Sequence, residues 1–95
     1  MWKWEGYPEY VARQNRDQKD LNRNIEHLRT AEQTTGETFV YFQDSTRTII
    51  PYYRDWLLVQ YCMDIKKMTY DDVLKDTTDA AILRAQMMQW HNGFK

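Results

Sequence analysis

Few residues in this 95-residue sequence are equipped for chemistry, and their settings decide what they can do. Ser45 is the only serine and Cys62 the only cysteine. Ser45 follows Asp44 and precedes Thr46, a setting for turn hydrogen bonds, with no glycine-flanked nucleophile elbow around it. Cys62 lies in the most apolar stretch of the chain, where a thiol behaves as a small inert hydrophobe. The two histidines, His27 and His91, are too far apart in sequence for ligand spacing. Each is expected near a helix C-terminus, where an imidazolium is favoured by the helix dipole. Asp71, Asp72, Asp76 and Asp79 form the densest acidic group. They match no calcium-loop pattern and read as caps and dipole partners at two helix starts. Asp55 and Asp64 flank the apolar stretch and are the remaining candidates for paired-carboxylate work. Three isolated glycines offer no phosphate-cradling loop. The expectation is a protein that is not an enzyme, with no cofactor and no metal.

The binding residues are more numerous. Trp2, Trp4, Tyr7 and Tyr10 crowd the N-terminus, and Val11, Gln14 and Gln18 continue the same stretch. Trp and Tyr are the side-chain types that dominate binding energy at protein interfaces. Arg13, Arg16, Lys19 and Arg23 form a second set, interspersed with Asn15, Asn22 and Asn24. Arg and Asn are residues that read base edges. Asp17, Asp20 and Glu26 lie among them, however, so the same pattern describes a salt-bridged, solvated helix face.

Composition sets the frame for both. Apolar residues make up 42% and charged residues 28%, which suits a folded chain. Aromatic residues reach 15%. The net charge is −1, and each third of the chain is nearly balanced, so no segment builds a strong phosphate-binding field. One cysteine excludes an internal disulfide and a cysteine-built zinc cage. The N-terminus has no apolar signal region. The longest apolar run, Trp56-Leu57-Leu58-Val59, falls far short of the roughly 20 residues a spanning helix needs. These features predict a reducing, cytoplasmic setting and no membrane.

The elements that must position these residues read as follows. One domain over 1–95 is expected, mostly α with a small α+β character. Residues 1–7 form an aromatic segment, and a long helix runs over 8–33 from Pro8, a good first-turn residue. Its narrow stripe is Val11, Leu21, Ile25 and Leu28, with polar Gln14 and Gln18 between. Thr34-Thr35-Gly36 ends it. A short hairpin spans 37–50 and a central helix 52–67, apolar nearly all the way round and therefore the most buried. Thr69 with Asp72 reads as a capping box, and Met68 with Val73 as a hydrophobic staple, opening a short helix over 70–75. A final helix over 79–91, capped by Asp76, Thr77 or Thr78, stops at Gly93 in a left-handed position, with Phe94 folded back.

The expected function is binding. As a structural or assembly subunit, the chain would dock another protein, or copies of itself, through the aromatic N-terminus and the stripe Val11, Leu21, Ile25, Leu28. As an inhibitor or adaptor, it would block another protein. The small size, missing catalytic signature and aromatic content resemble those of accessory proteins of phages and mobile elements. A nucleic-acid module acting through Arg13, Arg16, Lys19 and Arg23 is the further alternative. For that alternative, affinity for DNA or RNA falls steeply with salt, and the pair Arg16→Glu, Arg23→Glu abolishes it in a binding titration. Salt-insensitive binding, or none, would remove it.

Overall fold

A helix that is apolar around its whole circumference has to be covered from every side. That helix is α3 (Ile50–Gln60), and it forms the centre of the computed structural model, which describes residues 2–12, 20–42 and 46–93. Tyr53, Trp56, Leu57, Leu58, Val59, Gln60, Tyr61 and Cys62 are all buried. Pro51 stands in the first turn, where a missing N–H leaves no bond unmade. The helix therefore begins at Ile50, two residues before the expected start. It continues as a π-helical turn, Tyr61–Ile65. Lys67 then takes a positive φ of 60°, and the Met68 N–H reaches back six residues to the Cys62 carbonyl at 3.0 Å, which closes the helix end.

The other elements are covers for α3, and the chain is mostly helical with one short antiparallel hairpin. They are α1 (Trp2–Ala12), α2 (Leu21–Gln33), β1 (Phe39–Tyr41), β2 (Arg47–Ile49), α4 (Tyr70–Lys75) and α5 (Ala80–Asn92). Val40 pairs with Thr48, and both point into the core. Gly36, with φ of 80°, turns the chain from α2 towards β1. The capping box of α4 is present: Thr69 Oγ1 accepts from Asp72 N at 3.1 Å, and the Asp72 carboxylate accepts from Thr69 N at 3.0 Å.

Helix α5 runs antiparallel to α2 and is clasped to it at two points. At one end Arg84 Nη2 donates to Glu32 Oε1 at 2.6 Å. At the other, His91 lies 2.7 Å from Asn22 Oδ1 through Nδ1 and 2.5 Å from Glu26 Oε1 through Nε2. Between the clasps, Leu83 and Met87 enter the core with Ile25 and Leu28. A buried polar chain ties α2 to α3, in which the Tyr53 hydroxyl donates to Asn24 Oδ1 (3.0 Å) and Asn24 Nδ2 to Gln60 Oε1 (3.3 Å).

Several expectations need correction. The helix over 8–33 is not continuous: α1 ends at Ala12 and α2 starts at Leu21, with residues 13–19 outside the described residues. The stretch over 1–7 is not a tail, because α1 begins at Trp2 and holds Pro8 inside it. An interior proline costs a helix about 3 kcal/mol. Tertiary packing offsets that cost here, since a Cβ on Gly6 would sit 2.3 Å from the Asp55 carbonyl oxygen. Only a glycine lets the two helix backbones approach so closely. Asp79 caps α5, accepting from Ala81 N at 2.8 Å, while Asp76 ends α4 and accepts from Thr78. Gly93 keeps a right-handed φ of −65°, so α5 ends without a left-handed cap. Phe94 lies outside the described residues. His27 sits mid-helix, with ring contacts to Phe42 and Tyr53, and not at a C-terminus.

The close approach at Gly6 is directly testable. Gly6→Ala forces α1 away from α3 and is expected to cost about 2 kcal/mol, read from urea denaturation. Unchanged stability would mean that the helices can separate without loss.

Candidate partner-binding surface

The two faces of α1 follow from which positions meet the core. Lys3, Gly6, Tyr7 and Tyr10 recur at helical spacing and turn inward. Lys3 is buried, and its Nζ donates to the carbonyl oxygens of Leu74 (3.3 Å) and Asp76, at the C-terminal end of α4. A cation there meets the negative end of the helix dipole. Tyr7 stacks on Tyr70 of α4, with ring centroids 3.6 Å apart and planes at 19°. The Tyr10 hydroxyl donates to Asp64 Oδ1 at 2.5 Å. Four inward positions thus lock α1 to α3, to the π turn and to α4.

Trp4, Pro8 and Val11 follow one another on the adjoining flank, at i, i+4 and i+7. Trp4 is 59% and Val11 50% exposed, and Pro8 is exposed between them. Pro8 has no N–H, so the Trp4 carbonyl loses its usual helical donor. The flank therefore offers an indole and an aliphatic side chain along one line.

On the opposite flank Glu5 meets Asp55 of α3. Burial raises the Asp55 carboxyl first, and the hydrogen bond and negative charge of Glu5 raise it further, to about 7. The hydrogen bond between the two carboxyls needs one proton, which the raised Asp55 carboxyl still holds in part at neutral pH. Asp64, the other flanking carboxylate, is occupied by Tyr10. Burial pushes the Cys62 thiol up to about 11, so it stays protonated. Hydrogen bonds from Thr69 hold Asp72 low, and hydrogen bonds from Thr78 hold Asp76 low, in keeping with capping roles. Burial lowers His27, and the nearby Arg23 lowers it further. No group of three or more potential metal ligands gathers among the described residues. A shallow groove of about 170 Å³ lies between α2 and β1, lined among others by His27, Thr34, Phe39 and Tyr41.

The expected binding residues separate accordingly. Trp4 and Val11 share an exposed flank, whereas Tyr7 and Tyr10 are spent on internal contacts. Trp2 belongs to α1. Leu21, Ile25 and Leu28 are core residues, at 5%, 0% and 0% exposure, and cannot meet a partner. Their coiled-coil spacing faces α3 instead. Gln14, Gln18, Arg13, Arg16, Lys19 and Ser45 lie outside the described residues. Arg23 is exposed in the first turn of α2, where its backbone N–H meets the Asp20 side chain. Sequence reasoning missed Gly6, Pro8, Lys3 and Glu5. The glycine and the proline inside a run of aromatic residues were the available signal. Among the described residues, no helix is long and apolar enough to cross a membrane. Comparison with protein-family models, with curated proteins and with solved structures returns no match.

The carboxyl pair makes stability depend on pH. In the unfolded chain Asp55 titrates near 4, and in the folded protein near 7. Between these values the folded state holds the extra proton, so stability falls as pH rises through this window. Denaturant midpoints at pH 5 and pH 8 should differ in the native chain and converge in Asp55→Asn. A native chain as stable at pH 8 as at pH 5 would contradict the raised Asp55 carboxyl.

Proposed function

We propose that this protein is a non-enzymatic interaction module, a structural or assembly subunit that docks another protein chain on the exposed flank of α1. One observation carries the reading: Trp4 and Val11 stand exposed on one line of a helix whose inner face is locked in place. A rigid helix presents its anchors without an ordering cost, which favours recognition. Large apolar residues aligned on a surface mark interaction sites more often than scattered ones do. The α1 flank replaces the stripe of Leu21, Ile25 and Leu28 as the docking surface, because those three are internal. Copies of the same chain and a different protein both remain occupants for this flank, and solution mass separates them.

Light scattering across a concentration series, for the native chain and for Trp4→Ala with Val11→Ser, tests the proposal. Both positions are at least half exposed, so the double variant should keep its fold and its denaturation midpoint. Association that disappears in the variant identifies the flank as a self-assembly surface. A strict monomer near 11.6 kDa in both forms points to a different protein as partner, in the manner of an adaptor or inhibitor. Association that persists unchanged in the variant would overturn the α1 assignment.

A further inference from the structure

Two guanidinium groups converge on Glu32 near the end of α2. Arg84 of α5 donates through Nη2 to Oε1 at 2.6 Å, and Arg54 of α3 holds Nε 3.9 Å from Oε2. The second distance is beyond hydrogen-bond reach, so Arg54 is attracted to Glu32 but not bonded to it. Arg54 Nε and Arg84 Nη1 are shielded from solvent and have no acceptor among the described residues. Asp55, next to Arg54 in sequence, is hydrogen-bonded to Glu5 and feels Arg54 only as a weaker electrostatic attraction. Each guanidinium carries five N–H donors, and those on Arg54 Nε and Arg84 Nη1 are spare. Glu32 alone lies in ion-pair range of both cations, and the Asp55 carboxyl, raised to about 7, offsets the second positive charge only in part. The side chains are still 41% (Arg54) and 30% (Arg84) exposed, so a small ligand can reach the pair from solvent.

We propose that Arg54 and Arg84, held side by side by Glu32, form a binding site for a single oxyanion group, a phosphate or a carboxylate. The planar fork of arginine matches both groups through paired N–H···O bonds. An oxyanion seated on the exposed edges of the two guanidiniums, with a small readjustment of the side chains, brings acceptors to the two shielded donors, which otherwise stay unpaired at a cost. It also balances the remaining charge. Glu32 acts as the spacer that orients Arg84 and keeps the two cations together. The site lies on the α2–α3–α5 side of the molecule and is independent of the α1 flank.

The test is a titration of the full chain with inorganic phosphate, with acetate, and with sodium chloride at matched ionic strength. The readouts are the arginine Nε–H resonances by NMR and the urea midpoint. A saturable shift of the Arg54 Nε–H signal and a raised midpoint are expected with one or both oxyanions. The shift that the anion causes in the Arg84 Nε–H signal and the raised midpoint should be lost in Arg54→Gln and largely lost in Arg54→Lys, which keeps the charge without the fork. A response to phosphate and not acetate assigns the site to phosphate groups, and the reverse assigns it to carboxylates. Chloride matching both oxyanions, or an Arg54→Gln response equal to that of the native chain, would overturn the proposal. If Arg54→Gln lowers the midpoint without added anion, the Arg54→Lys titration decides.

Discussion

Everything else in this structure answers to the burial of α3. From Tyr53 onward all its side chains but Arg54 and Asp55 are buried, so α1, α2, α5 and the hairpin each exist in their positions as covers. The most demanding cover is α1, which approaches until its backbone at Gly6 touches the backbone at Asp55. That contact tolerates no side chain. The same packing, with Gly6 against Asp55 and Tyr10 buried, holds α1 in place around its interior proline.

Locking α1 by one face determines what its other face can be. Lys3, Tyr7 and Tyr10 each find a partner inside, so the aromatic and basic richness of the N-terminus is divided between structure and surface. Trp4 and Val11 are left outside by the helical period itself, one position beyond the locked set. An exposed tryptophan on a fixed helix differs from one on a loose tail. It presents a constant geometry, and it owes its exposure to the register of packing.

The polar groups sit at the seams between covers. The Glu5–Asp55 pair lies between α1 and α3, the Arg54–Glu32–Arg84 group between α2, α3 and α5, and the His91 clasp between α2 and α5. Each seam joins side chains far apart in sequence, and each is only partly shut from water. These are the conditions under which a carboxyl titrates near neutrality and a guanidinium keeps open donors. The deep interior holds the neutral Asn24–Gln60–Tyr53 chain, which is satisfied without charge.

By itself the sequence determined what local chemistry decides. The apolar circumference of α3, the capping box of Thr69 with Asp72, the Gly36 turn and the short hairpin were all legible, because each depends on neighbours a few residues away. Helix boundaries near Pro51 and Asp79 were readable to within two residues. The tertiary structure decided which face of each helix is outside. Leu21, Ile25 and Leu28 have a spacing that suits docking to a partner or to α3 equally well, and only the fold shows α3 taking it. Gly6 and Pro8 placed the start of the first helix at Pro8, since propensity cannot know that a backbone at Asp55 waits for a residue without a Cβ. The meetings of Glu5 with Asp55 and of Arg54 and Arg84 with Glu32 are long-range, and a one-dimensional pattern holds no distance between distant residues.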